Sequence, residues 1–225
     1  MLPLSRSMSL ITLPRGGAAA ASWWLSGGIS PANCVAAYQP KGAADLAASY
    51  ANLAVGGAAY DLTLGVAPTW DAVNGWIFDG TTQYLKTGIT PSDGWSALIR
   101  YNTLTYKNYA TLFGGKTNLG KFFGVTLQLA ANKYYLYLNN YYKLIYAVMP
   151  TSGVIGIAGQ QGYLNGLADG TTITTTTGTY AEVYIGVNND PTKYYAQVHV
   201  QAFVIWNTII TAAQVLAVTN AMNAL

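Results

Sequence analysis

Short β-prone runs separated by turn residues constrain this chain more than any other feature of it. From Val35 onward they follow one another closely. "GWIFDGTTQYLKTG" holds two, and "WSALIRYNTL", "YATLFGG", "FFGVTLQLA", "KYYLYL", "YYKLIYAV", "GVIGIAG", "AEVYIGV" and "YAQVHVQAFVIW" continue the series. Gly, Asn, Pro and Asp stand between the runs. Many short strands with regular turn signals predict an antiparallel sandwich or barrel. The 225 residues suit a single all-β domain.

One helix is predicted, at the end of the chain. In "TAAQVLAVTNAMNAL", Thr211 is followed three positions on by Gln214, a capping-box pattern in which each side chain satisfies an orphan amide of the first turn. Val215, Val218 and Met222 then share one face. "AADLAASYANLA" fits either a helical turn or a loop.

Residues 1–30 differ from the rest. They hold two arginines, four glycines, two prolines and an alanine run, and no acid. No strand or helix period is sustained there. Leu10, Ile11, Leu13, Trp23 and Trp24 make the segment too apolar for a solvated linker. It reads as an extended arm for assembly or docking, ahead of a domain at 31–225, and its apolar residues need a surface to pack on: that domain, a sister subunit or a larger assembly. Pro14, Gly16 and Gly17 interrupt the apolar region, which argues against a cleaved secretory signal.

Composition narrows the function classes. Charged residues make up 8%, against roughly 25% in an average soluble domain. A surface so poor in charge is typical of extracellular and assembled proteins. A net charge of +3 is too small to argue for nucleic acid. No stretch reaches the roughly 18 apolar residues of a membrane span. One cysteine, Cys34, and one histidine, His199, leave no disulfide, no cysteine zinc site and no cysteine–histidine nucleophile pair in view. His199 lies in an alternating run and reads as a partly exposed strand residue.

Acidic chemistry is sparse too. Glu182 is the single glutamate among eight acids, and glycoside hydrolysis normally needs two carboxylates flanking the bond. Asp79-Gly80 and Asp169-Gly170 read as turns. Oxygen ligands cluster at Asn188, Asn189 and Asp190, where a calcium site is conceivable but a plain turn is the commoner outcome. No enzyme activity, cofactor or metal is expected.

The segment "NKYYLYLNNYYKLIY" carries six tyrosines in fifteen residues. A two-residue turn at Asn139-Asn140 pairs Leu138 with Tyr141, Tyr137 with Tyr142 and Tyr135 with Leu144. One face then holds Tyr135, Tyr137, Tyr142 and Tyr146. The other, with Leu136, Leu138 and Ile145, is the better core side. The tyrosine face has three readings: cross-strand aromatic packing, a protein interface, or a carbohydrate platform.

Several motifs, in this order, carry a resemblance. They are "VAAYQPKGAADLAASYANLA", "YDLT", "FDGTTQYL", "WSALIRY", "GYLNGLADGTT" with Asn165-Gly166, "AEVYIGVNN" and "VQAFVIWNTIITAAQV". Together, over residues 35–225, the chain resembles concanavalin A-like lectin/glucanase domains of the laminin-G-like type. The resemblance implies a jelly-roll sandwich of two antiparallel sheets. The acidic catalytic strand of the glucanase branch, Glu-x-Asp-x-Glu, has no counterpart. The arm and "WWLSGGISPANCVAAYQPKGAADLAASY" also look like domains encoded in bacteriophage genomes, which appear there as virion surface or tail-associated proteins. The expectation is a non-enzymatic, lectin-like protein displayed on a virion. It would self-associate or dock on other subunits through the arm, with glycan contact possible. The alternative is a secreted bacterial carbohydrate-binding or adhesion module, extracellular in location.

Overall fold

A computed structural model describes residues 22–117, 120–128, 133–139, 141–144, 148–169, 172, 180–190 and 192–225. In chain order the strands are β1 (Cys34–Tyr38), β2 (Thr63–Val66), β3 (Thr69–Asp71), β4 (Gly75–Asp79), β5 (Tyr84–Lys86), β6 (Ser96–Thr105), β7 (Thr111–Lys116) and β8 (Phe122–Gln128). They continue as β9 (Lys133–Asn139), β10 (Tyr141–Leu144), β11 (Gly153–Ala158), β12 (Gln161–Leu164), β13 (Leu167–Asp169), β14 (Tyr184–Ile185) and β15 (Gln197–Trp206). Helix α1 (Ala212–Asn223) follows. "AADLAASYANLA" forms only a 3-10 turn, Ala48–Tyr50, within irregular chain.

The strands make two antiparallel sheets, a β-sandwich as the strand pattern predicts. The first runs β13-β12-β11-β6-β15-β4-β3, with β1 also paired to β15; the second runs β10-β9-β8-β7-β14-β5-β2. Between them lies a core containing Trp76, Phe78, Ile99, Tyr101, Phe113, Phe123, Val125, Phe203 and Ile205. The largest indole there is also satisfied: Trp76 Nε1 donates to Ser49 Oγ at 2.8 Å.

The centre of the first sheet is buried on both faces, and β15 shows how. Val198 and Val200 point into the sandwich. A register shift between Val200 and Ala202 resets the alternation. Phe203 and Ile205 then point inward, while Ala202, Val204 and Trp206 point outward against α1 and the 3-10 turn Trp23–Leu25. A strand covered on both sides reads as a continuous apolar run, which is why "AFVIW" lacks alternation. Helix α1 begins at Thr211 with the full reciprocal capping box to Gln214, and it buries Val215, Val218, Thr219 and Met222.

Residues 22–30, expected within the extended arm, pack on the domain. Trp23 is 3% exposed, and its Nε1 donates to Gln39 Oε1 at 2.9 Å. Trp24 meets Trp23 edge to face at 5.5 Å, and its carbonyl accepts from Trp206 Nε1 at 3.1 Å. These indoles therefore bury inside their own chain. Leu10, Ile11 and Leu13 lie outside the described residues. No helix among the described residues is long and apolar enough to cross a membrane.

Candidate functional site

The tyrosine hairpin forms in the expected register. Tyr141 pairs with Leu138, Tyr142 with Tyr137, and Leu144 with Tyr135. On the other side, β9 pairs Leu138 with Phe123 and Leu136 with Val125, both core residues. Tyr135 and Tyr137 pair in register with Thr126 and Gly124. Tyr146 lies outside the described residues.

One register row crosses the whole second sheet: Thr63, Lys86, Tyr184, Gly114, Gly124, Tyr137 and Tyr142. Its centre is closed. A Cβ on Gly114 would lie 2.5 Å from Phe122 Cζ, and one on Gly124 2.7 Å from Phe122 Cε1. The glycines thus let the Phe122 ring, 5% exposed, lie down on the sheet. At the β5–β14 end, the rings of Tyr84 and Tyr184 stack at 5.4 Å, Tyr195 leans on Tyr84 at 6.3 Å, and Lys86 Nζ sits 5.8 Å from the Tyr184 centroid. Burial, then Glu182 and Tyr84, raise the Tyr184 hydroxyl above its usual pKa. It stays protonated at neutral pH and can both donate and accept.

Another exposed aromatic pair stands on two loops beside β7. Tyr109, before β7, is 46% exposed. Its ring meets Tyr194 edge to face, with centroids 5.7 Å apart. Lys193 Nζ lies 5.0 Å from the Tyr194 centroid, within cation–π range. Both tyrosines have left-handed backbone torsions, φ +62° at Tyr109 and φ +69° at Tyr194. For bulky residues this is a genuine outlier. The loops are held there by the backbone: Tyr109 N donates to Leu127 O at 3.0 Å, and Thr111 N to Tyr194 O at 2.8 Å. Thr111 opposes Thr126, and Thr126 opposes Tyr135.

The acidic groups are engaged in loop structure. Asp45 accepts from Ala48 N, Asp61 from Asn52 N, Asp71 from Val73 N and Asn74 N, and Glu182 from Gly88 N. Asp93 accepts from the Tyr180 hydroxyl and Asp190 from that of Thr192. At the conceived calcium position, Asn188 Oδ1 accepts from Asp190 N, and Asn189 Oδ1 from Lys116 N. The oxygens there already serve a turn. Among the described residues, no three of His, Cys, Asp and Glu gather as a metal site would require. His199 sits in β15 as expected, half-buried, with Nδ1 buried and unpartnered. Burial lowers its pKa, opposed by Asp71.

Sequence reasoning found the hairpin but missed the Tyr109–Tyr194 pair. Positive φ at two tyrosines distant in sequence leaves no compositional mark. The one available signal was an aromatic residue inside each of two polar stretches, "YKNY" and "TKYY".

No protein-family model matches the chain, and no curated protein matches it. Solved structures do. The chain is similar to a Trypanosoma rangeli sialidase in complex with sialic acid, with a TM-score of 0.60 and 15% identity over 85% of this chain and 33% of that one. It therefore spans about a third of the sialidase's length. It is also similar to domain 4 of AbnA, a GH43 extracellular arabinanase from Geobacillus stearothermophilus, in complex with arabinotriose. There the TM-score is 0.58 at 14% identity, over 83% of this chain and 98% of that domain. A third similar structure is the botulinum neurotoxin serotype G binding domain, with a TM-score of 0.56 and 14% identity over 83% and 50% of the two chains. At these identities the likeness shows the fold alone, a β-sandwich.

Proposed function

We propose that this chain is a non-catalytic carbohydrate-binding β-sandwich module, and that Tyr109 and Tyr194 form its sugar-contacting platform. One observation carries the reading: two contacting tyrosines, solvent-accessible, each at a disfavoured backbone torsion. Strain of this kind costs of order 1–3 kcal/mol per residue and concentrates at functional sites. The rings contribute little to the core, so their positioning needs another purpose. Ring faces attract polarised C–H groups, such as those of a sugar, and the hydroxyls suit its rim. Lys193 and Thr192 are the neighbouring polar residues. The arabinanase domain similar over nearly its whole length was solved with an oligosaccharide, and this supports the class of ligand. The loop-holding roles of the carboxylates support the absence of hydrolysis.

The test is affinity electrophoresis and calorimetry against arabinotriose and a broad oligosaccharide panel. Saturable binding to at least one glycan is expected, weakened tenfold or more by Tyr109→Ala and by Tyr194→Gly with the circular dichroism spectrum retained. A flat response across the panel overturns the reading.

Virion display, with self-association through the N-terminal arm, is a separate proposal supported by the sequence resemblance and the low charge. Light scattering on the full chain and on a chain starting at Ser22 tests it, and equal monomer masses would count against it.

A further inference from the structure

Near its end, β6 breaks the pattern of its sheet. Tyr101 still pairs with Gly153 of β11, and Asn102 with His199 of β15. The next pairing on β15 joins Gln197 to Thr105, so two steps along β15 answer three along β6. The extra residue makes a β-bulge, a device that re-aims side chains and recurs beside functional sites. Thr103 lies in it with a left-handed φ of +50°, a genuine outlier for a β-branched residue. Just past it, Leu104 N donates to Thr151 O at 3.0 Å, which ties the bulge to the segment leading into β11.

Two clefts meet here. One, of about 530 Å³, is lined by Asn102, Thr103, Leu104, Thr105, Thr151 and Ser152. The other, of about 620 Å³, shares Asn102 and Ser152 and continues to Asn165, Gln201 and Asn223. Each volume falls within the roughly 300–1,000 Å³ of small-molecule sites. Joined through their shared residues, they form one continuous groove.

Hydroxyls and primary amides dominate the lining. Among the described residues, the hydroxyls of Thr105, Thr151 and Ser152, the Asn102 Nδ2 and the Asn223 amide hydrogen-bond to no other group. Two further amides are held in place. Asn165 Oδ1 accepts from Val154 N at 3.0 Å, which leaves its Nδ2 as a donor. Gly153 makes room for that amide, since a Cβ there would lie 2.5 Å from Asn165 Oδ1. Gln201, 5% exposed, spends Nε2 only on a long 3.4 Å contact to Val73 O. Arg100 and Lys41 also line the second cleft. Both are engaged at the end of α1, where they donate to Leu225 O and Arg100 also to Met222 O. The ligand assigned here makes no use of their charge.

A primary amide combines donors with an acceptor, and a hydroxyl does the same. A sugar hydroxyl is of this mixed kind, so a row of such groups can pair with a row of sugar hydroxyls in either sense. An apolar ligand would leave the buried ones without partners, at a cost. We infer that the groove holds a neutral oligosaccharide, with one sugar unit on Asn102, Thr105 and Thr151 and the next on Asn165, Gln201 and Asn223. This extends the carbohydrate-binding reading to a second set of residues, and the groove and the tyrosine platform can each fail without the other.

The test uses the full chain and NMR titration with maltohexaose, cellohexaose, xylohexaose and arabinohexaose, beside glucose, xylose and arabinose. At least one hexasaccharide should bind about tenfold tighter than its own monosaccharide. The side-chain amide signals of Asn102, Asn165 and Gln201 should shift along the same saturation curve. Still amides, whether or not the tyrosines respond, overturn the groove. Shifted amides with unmoved Tyr109 and Tyr194 signals keep the groove and overturn the platform. Asn102→Ala and Asn223→Ala, neither of them core residues, should each weaken binding about tenfold with the fold intact, the effect of one or two hydrogen bonds. Undiminished binding by both folded variants overturns the assignment. Affinity should hold between roughly 0.05 and 0.5 M salt, because screening weakens ionic contacts only, and a tenfold fall would overturn the neutral character of the ligand. Tyr194→Gly should leave the amide shifts unchanged, and their loss would assign the signal to the platform.

Discussion

Tyr109 and Tyr194 sit on separate loops, yet each holds a left-handed backbone torsion and their rings meet edge to face at 5.7 Å. Glycine relieves such a torsion, and alanine does not. Tyr194→Ala should lower stability by about 1–2 kcal/mol, losing the ring contact while keeping the strain. Tyr194→Gly should stay within about 1 kcal/mol of the parent, because relief of strain offsets the lost contact. Urea unfolding of both variants checks this. An Ala variant as stable as the Gly variant would mean that the torsion carries no strain.

Asp79 fastens the turn after β4. Its Oδ1 accepts from the amides of Thr81, Thr82 and Gln83, and its Oδ2 from the hydroxyls of Thr81 and Thr82. Burial raises the carboxyl, but these donors outweigh it and hold the pKa well below the usual aspartate value. A depressed folded-state pKa means the stabilisation is complete above the unfolded value, about 4, and declines as pH falls through that value toward the folded one. Asp79→Ala should cost about 1 kcal/mol at pH 7, the group being largely exposed, and less at pH 2.5. Urea midpoints at the two pH values measure the difference, and a gap that does not shrink in acid would refute the assignment.

Cys34 is a buried free thiol at the start of β1, and burial pushes its pKa up to about 12. With so little thiolate present at neutral pH, it should be inert. Native protein should show no labelling by a disulfide reagent at pH 8 over an hour, and one equivalent after denaturation. Rapid native labelling would place the thiol at the surface.

Trp23 is wedged beneath α1 with its indole N–H satisfied by Gln39. Trp23→Ala should destabilise by about 3–5 kcal/mol. A chain starting at Pro31 loses the same contact and should melt well below one starting at Ser22. Equal melting temperatures would show that the segment adds nothing to the fold.

Much of the architecture was legible because it is local. Asn139-Asn140 fixed the register of β9 and β10, Asn165-Gly166 the turn between β12 and β13, and Thr211 with Gln214 the start of α1; in each case a few adjacent residues carry the signal. Which surface Trp23 packs on was not legible, because its partners, Gln39 and α1, are remote in sequence. The partners in the tyrosine pair, Tyr109 and Tyr194, are remote from each other in the same way.

The turn Trp23–Leu25 and helix α1 lie together on the back of the first sheet, whereas the tyrosine pair stands on loops beside β7, a strand of the second. A tether joined at Ser22 or at Leu225 would leave from the side away from the platform. Copies strung together, or anchored to a larger body, would all keep their tyrosines free. Weak single contacts could then add up through raised local concentration, with no new surface required.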